Sequence, residues 1–501
     1  MDRALDILKQ YYGYSSFREG QENIIREILN GNDVLTIMPT GGGKSICYQV
    51  PAMLLDGITI VISPLISLMK DQVDNINNLG IKSAYINSSL NNIEINNILD
   101  EAAKNEIKIL YVAPERLESH VFLELIASIN VSMVAVDEAH CVSQWGHDFR
   151  SSYRRISRVV SLLRNRPIVA AFTATATAEV RDDIIKLLEL NNPKIFISGF
   201  DRKNLKIIIE KGVNKKNYIL DYINSNKDES GIIYCSTRKE VDSLYDLLIS
   251  KGLEVEKYHA GLNDEYRKEA QENFIYDKVN IIIATNAFGM GIDKPNVRYV
   301  IHYNMPKNIE GYYQEIGRAG RDGEDSECIM LFSPGDVQTQ KYIIETATEN
   351  TVRKENELEK LQTMINLVYT QDCYRKYILN YFGEQYDERC NNCSNCEAPG
   401  ELVDKSVDAQ KVISCVYRMG QRFGIGMVVD VLRGSKNKKV YELGFDELST
   451  YGIVKNYTKD ALTEFINMLI SHGYLNYKGE YPVLKLNQLS MDIVKGEKQV
   501  F

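Results

Sequence analysis

Short β-branched runs alternating with longer amphipathic stretches constrain this chain more than any other feature. "DVLTIMP", "ITIVISP", "IKILYVAP", "SMVAVDEAH" and "PIVAAFTATA" follow one another between residues 33 and 176, with helical spacers between them. Strands that are apolar throughout need cover on both faces, so this rhythm implies a parallel sheet layered between helices. It restarts after a connector at "SGFDRKN": "GIIYCST", "VEKYHAG", "VNIIIATN", "VRYVIHYN" and "ECIMLFSP" form a second set between 231 and 334. Two α/β domains in tandem are expected. From about residue 336 the strands give way to a Lys/Glu-rich helical segment that leads into a cysteine cluster, and "EAPGELVD" (397–404) has the Pro-Gly punctuation of a linker.

At 501 residues the chain exceeds one hydrophobic core, and about 100–200 residues per domain allows three or four domains. The last hundred residues offer three helical stretches and then "HGYLNYKGEYPVLKLN", two alternating runs around a Lys-Gly-Glu turn, the pattern of a β-hairpin and, together, of a winged helix. The expected domains are 1–200, 201–335, 336–400 (a helical metal-binding subdomain) and 401–501 (the winged helix). With 44% hydrophobic and 25% charged residues the composition is that of a globular protein, and no run of about 18 apolar residues exists to span a bilayer. The N-terminus lacks the apolar centre and small-residue cleavage site of a secretory signal, so a cytoplasmic protein is expected. A net charge of −9 argues against a nucleic-acid partner only at the level of the whole chain, because phosphate is bound by local patches.

"MPTGGGKS" (38–45) follows a strand and precedes an apolar helical stretch, the context a P-loop requires. The turn Thr40–Gly43 would close backbone N–H groups on phosphate, Lys44 would offer a point charge, and Ser45 a hydroxyl for Mg²⁺. Met38 stands where the strict pattern has glycine. Some ninety residues on, "VAVDEAH" ends a buried strand with Asp137, placed for Mg²⁺, and Glu138, placed to orient or deprotonate the attacking water. In the second half, "YYQEIGRAGRDG" sets Arg318 and Arg321 three apart, able to meet the charge developing on a transferring phosphoryl group. Arginines supplied by the other domain would couple hydrolysis to closure of the cleft.

"MPTGGGKS", "VDEAH", "AFTATAT", "ATNAFGMGIDKPNVRYVIHYNMP" and "QEIGRAGRDG" resemble the ordered motifs of superfamily 2 helicases. Together with "YYGYSSFREGQ", "CVSQWGHDFR", the cysteine array and the winged helix, they resemble the RecQ-type DNA helicases over nearly the whole chain. The resemblance implies two RecA-like domains, ATP and Mg²⁺ as cofactors, and 3′–5′ translocation on single-stranded DNA with unwinding of duplex or branched DNA in recombination and repair. It implies adenine recognition by Gln21, Arg18 and Tyr14, with Tyr12 where phenylalanine is common, and a nucleotide contact at Asp293. His140 would link the acidic pair to the second domain, supported by Thr173 and Thr175.

The same resemblance makes residues 141–150 an aromatic-rich loop that touches single-stranded DNA and signals to the hydrolytic site. Trp145, the chain's one tryptophan, and Phe149 would stack on bases, His147 would make a polar contact, and Arg150 would meet phosphate or supply a charge on the γ-phosphate side. A tryptophan buried under the sheet is the alternative, opposed by the polar flanks Ser143, Gln144, Gly146, His147 and Asp148.

Cys373, Cys390, Cys393 and Cys396 supply four thiolates, the count that closes a tetrahedral zinc site but also fits an iron–sulfur cluster or disulfides. Their position after the last motor motif resembles the RecQ arrangement and implies structural Zn²⁺. In the winged helix, Arg422, Arg433, Lys436, Lys438 and Lys439 resemble a duplex-binding surface, and Tyr481 at the hairpin tip stands where the family places a strand-separating wedge. By the same resemblance, the helical domain that longer relatives add after the winged helix is expected to be lacking here. A monomer associated with the nucleoid, with a single-strand-binding protein as partner, completes the expectation. The rival readings are a DNA-junction or annealing module with a vestigial ATPase, and an RNA-dependent ATPase.

Overall fold

The computed structural model of the protein describes residues 1–64, 66–289, 294–397, 403–478 and 482–501. The first lobe holds β1 (Val34–Ile37), β2 (Ile58–Ile62), β3 (Ser83–Ile86), β4 (Ile109–Val112), β5 (Val131–Val136), β6 (Ile168–Thr173) and β7 (Lys194–Ile197). They form one parallel sheet in the order β3-β4-β2-β5-β6-β1-β7. The second lobe holds β8 (Leu205–Lys211), β9 (Ser230–Tyr234), β10 (Val255–Tyr258), β11 (Ile281–Ala284), β12 (Val297–His302) and β13 (Ser326–Phe332), again all parallel, in the order β10-β11-β9-β12-β13-β8.

Every strand expected from an apolar run is present. Three more were not anticipated: β3 and β7 at the edges of the first sheet and β8 at an edge of the second. Edge strands are covered less completely; β7 is exposed at three of its four residues, so its short run "IFI" contributes little to the core. Central strands such as β2 and β4 are buried at every residue, with Ile, Val and Leu on both faces.

In open parallel sheets ligands sit outside the carboxyl ends of the strands, and the functional segments follow that rule. The 38–45 loop leaves β1, the 137–150 segment leaves β5, and Thr173 and Thr175 stand at and just beyond the end of β6.

Past β13 the chain forms two long helices, Pro334–Ala347 and Thr351–Tyr369, separated at Thr348 and capped afresh by Asn350, whose side chain accepts from the Arg353 amide. The winged helix has its own core, built from the Ser406–Arg418, Ile425–Arg433 and Lys459–Ser471 helices and the hairpin β14 (Asn476–Lys478) with β15 (Val483–Lys485). A further helix, Gln488–Lys495, follows the hairpin and buries Ile493. Among the described residues no helix is long and apolar enough to cross a membrane.

Candidate nucleotide and DNA site

The 38–45 loop is held in a phosphate-cradling turn by two glycines in left-handed backbone, Gly41 and Gly43, both at φ +82°. Lys44 opens the following helix and donates from Nζ to the Met38 carbonyl at 3.1 Å. The departure at Met38 has a structural counterpart. A Cβ on Gly42 would stand 2.5 Å from Met38 Cγ, so the methionine takes the space that Gly42 leaves. Burial pushes the Lys44 ammonium below its usual range, while the facing carboxylates of Glu138 and Asp137 pull it back.

Gln21 and Arg18 reach the same loop. Gln21 accepts from the Arg18 amide at 2.9 Å and donates from Nε2 to the Gly43 carbonyl at 3.1 Å; Arg18 donates from Nη1 to the Gly41 carbonyl at 2.7 Å. Tyr14 is 51% exposed at the mouth of the same cavity. The structure therefore brings the three expected adenine-side residues together, with the Gln21 amide engaged on the loop itself.

Asp137 ends β5. Its backbone N–H donates to Ile62 at 2.8 Å, its carboxylate accepts from the Glu138 amide at 3.0 Å and from Ser63 Oγ at 3.4 Å, and Tyr153 donates to its carbonyl at 2.9 Å. Burial and the neighbouring Glu138 charge raise its carboxyl well above the usual range, the condition a bound cation would relieve. Glu138 sits in left-handed backbone at φ +47°, a conformation that carries a cost for a non-glycine residue and turns its side chain out of the strand line.

His140 is 2% exposed and its Nδ1 lies 2.8 Å from Thr173 Oγ1, which in turn donates to the Thr175 carbonyl at 3.1 Å. With the hydroxyl proton spent on that carbonyl, Thr173 accepts from His140, assigning the imidazole as the neutral Nδ1–H tautomer. Burial holds this imidazole neutral, lowering it to about 3. Glu138 Oε2 is 3.3 Å from the same nitrogen, whose proton already points to Thr173, so that buried carboxylate oxygen keeps an unused acceptor.

Arg318 and Arg321 come from the other lobe. A cavity of about 620 Å³ is lined by Tyr14, Arg18, Gln21, Lys44, Asp137 and Glu138 on one wall and by Gln314, Arg318 and Arg321 on the other. Arg318 lies flat against Gly289, whose carbonyl accepts from Nη1, and a Cβ there would meet Arg318 Nε at 2.6 Å. That glycine is at φ +107°. Arg318 Nε is buried without a hydrogen bond, as is Glu138 Oε2. A donor and an acceptor left open on the walls of one cavity fit a phosphoryl group and the water that attacks it.

The 141–150 segment begins in the last two residues of a short 3-10 helix, Ala139–Val142, and continues as a loop. Trp145 is half-buried against the main core, its amide donates to Ser143 Oγ at 3.1 Å, and Phe149 lies between the guanidiniums of Arg154 and Arg353, 5.2 and 5.7 Å from its centroid. His147 stacks on His140 with centroids 4.2 Å apart. Arg150, expected at phosphate, turns instead onto Asp148 at 3.1 Å and the Pro64 carbonyl at 3.1 Å. Arg422 is exposed on the winged helix, as are Arg433, Lys436, Lys438 and Lys439. Asp293 and Tyr481 lie outside the described residues.

The four cysteine sulfurs lie within 4.8 Å of one another, with Cys390–Cys396 at 3.9 Å and Cys373–Cys393 at 4.0 Å. A zinc ion with bonds of about 2.3 Å in a tetrahedron spaces its sulfurs by about 3.8 Å, so the array fits one ion. Four sulfurs this close leave no room for a four-iron core. Arg202 escaped notice in the sequence: from the connector between lobes it donates to the Ala319 and Gly320 carbonyls at 3.0 and 2.7 Å and reaches the Thr40 carbonyl at 3.4 Å. Its signal was a lone arginine in a polar connector, which periodicity does not single out.

Residues 18–184 match the DEAD/DEAH box helicase family, 214–323 the helicase conserved C-terminal domain, 334–397 the RecQ zinc-binding domain and 399–501 the RQC domain. The chain is 47% identical over its whole length to the ATP-dependent DNA helicase RecQ of Bacillus subtilis, covering 85% of that protein. It is 42% identical over 99% of its length to that of Pasteurella multocida, covering 78% of it. Among solved structures, the DUF1998 helicase MrfA bound to DNA superposes with a TM-score of 0.58 at 18% identity, over 78% of this chain and 60% of that one, a likeness of fold. The matched domains in this order, with relatives of such identity along the full chain, place this protein in the RecQ family of helicases.

Proposed function

We propose that the protein is an ATP-dependent DNA helicase that moves 3′–5′ on single strands and separates duplexes at its winged helix. One observation carries the hydrolytic half of this reading: Lys44, Asp137 and Glu138 of the first lobe and Arg318 and Arg321 of the second line a single cavity. The Thr40–Gly43 turn, Lys44 and Ser45 would bind the triphosphate, with Tyr14, Arg18 and Gln21 at the base. Asp137 and Ser45 would hold Mg²⁺, which when bound neutralises phosphate charge. Glu138 orients the attacking water through its open oxygen, and neutral His140, fixed by Thr173, packs beside that carboxylate without taking up its acceptor. Arg318 and Arg321 stabilise the charge that grows as the phosphoryl group transfers.

Trp145 and Phe149 would give single-stranded DNA its stacking faces, with His147 and Arg150 at the loop's polar edge. Arg422 and the basic 433–439 stretch would track duplex phosphates, and Tyr481 would meet the terminal pair. Asp293 would join the nucleotide site from the second lobe. The same reading has the protein acting as a monomer on nucleoid DNA, beside a single-strand-binding protein that coats what it unwinds. Zn²⁺ on the four cysteines has no open position for chemistry and so is structural. The test is phosphate release with and without single-stranded DNA, together with unwinding of 3′-tailed against 5′-tailed duplexes. DNA-stimulated hydrolysis and preference for the 3′ tail are expected; hydrolysis indifferent to DNA overturns the reading.

A further inference from the structure

The Thr351–Tyr369 helix lies outside both motor lobes, yet one of its faces touches each of them. Arg353, Glu357 and Lys360 are spaced i, i+4 and i+7 and so share that face. Arg353 covers the Phe149 ring at 5.7 Å, Glu357 pairs with Lys307 of the second lobe at 2.7 Å, and Lys360 does two things at once. Its ammonium donates to the Trp145 carbonyl at 2.5 Å and pairs with Glu310 Oε1 at 2.8 Å.

Those two partners belong to different machines. Trp145 sits in the aromatic loop that follows Glu138. Glu310 sits in the first turn of the Ile309–Ile316 helix, and Arg318 lies two residues past that helix. A single nitrogen therefore joins the loop assigned to DNA with the helix that delivers the arginine. The pair is enclosed, with side-chain exposures of 14% for Lys360 and 4% for Glu310. A buried ion pair adds little to stability compared with well-packed apolar side chains, and its best-attested use is to fix register. Here the register fixed is that of the loop against the arginine-bearing helix.

We propose that Lys360 is a positioning residue that carries the position of the aromatic loop to Arg318, so that DNA on the loop sets the arginine for hydrolysis. This rests on the reading that the loop meets single-stranded DNA. Spatial connection alone does not establish coupling; a double-mutant cycle does.

The experiment compares the full-length parent with Lys360→Met, Lys360→Arg, Glu310→Gln and the double variant Lys360→Met/Glu310→Gln. Hydrolysis is measured with and without oligo-dT, and oligo-dT affinity by fluorescence anisotropy. Lys360→Met is expected to lower the ratio of DNA-stimulated to DNA-free rate by about tenfold while affinity for oligo-dT stays within about twofold. Lys360→Arg should recover much of the ratio, and the double variant should be no worse than either single one. Because Lys360→Met strands the Glu310 charge, the double variant supplies the same reading should the single one fold poorly.

An unchanged ratio in Lys360→Met and in the double variant overturns the proposal. So does a proportional fall of both rates, which marks a mere prop for the cleft, and so does a loss of oligo-dT affinity, which marks a DNA contact. A parent whose hydrolysis ignores DNA overturns the underlying functional reading, and the relay with it.

Discussion

Arg321 of the second lobe lies against Gly41 of the first, its Cγ 3.4 Å from where a Cβ on that glycine would stand. The contact crosses the cleft and lays the Arg321 side chain on the phosphate-cradling turn, where its charge helps to lower the Lys44 ammonium. Arg321→Ala and Arg318→Ala should each lower kcat by about 10³-fold or more while leaving ATP binding largely intact, because arginine fingers act on transition-state charge. Fluorescent-nucleotide titration beside steady-state hydrolysis separates the two effects; a variant that loses binding and keeps kcat contradicts the assignment.

The Met38–Gly42 contact makes a second prediction. Gly42→Ala forces a methyl group into Met38 and should destabilise the loop by about 1–3 kcal/mol, read as weaker nucleotide binding. The double change Met38→Gly/Gly42→Ala should bind better than Gly42→Ala alone. Equal losses in the two would show that the methionine is a bystander.

Zinc should be present at one ion per chain, with no iron and no visible absorbance. The cysteine segment is docked on β8: Cys393 pairs with Ile207, and Arg375 donates to Asp201 at 2.6 Å and to the Leu205 carbonyl at 2.5 Å. Chelation or Cys393→Ser should therefore lower the melting temperature and also loosen the connector between lobes. Iron by elemental analysis, or a metal-free protein of unchanged stability, contradicts this.

His140 and His147 give a pH signature. Burial holds each imidazole down to about 3 against an ordinary value of 6.5. Above pH 6.5 neither folded nor unfolded chain carries these protons; below it the unfolded chain binds them and the folded one does not. Stability should thus fall as pH drops from 6.5 toward 5, by up to about 1.4 kcal/mol per unit for each histidine. His140→Asn/His147→Asn should flatten that part of a melting-temperature profile, and an unaltered slope contradicts the burial argument.

The central strands, the P-loop and the acidic pair were legible because each is a local pattern: an apolar run, a glycine-rich turn, carboxylates at a strand end. The spacing of Arg318 and Arg321 was equally visible, although only the fold brings them over Lys44. Edge strands β3, β7 and β8 escaped because their apolar runs are only three residues long and none of the three strands is buried along its whole length. Arg202 and Lys360 escaped for another reason. Each works by touching two segments far apart in sequence, and in a line of residues each reads as one more charge on a connector or a helix. Arg150 shows the converse, since its place in a family-like motif suggested phosphate while its hydrogen bonds to Asp148 and the Pro64 carbonyl are visible only in the fold.

The most direct test of the account is phosphate release by the parent and by Trp145→Ala, each with and without single-stranded DNA. DNA should accelerate the parent strongly, and Trp145→Ala should stay near its unstimulated rate with nucleotide affinity retained. A Trp145→Ala protein stimulated by DNA as fully as the parent would contradict it.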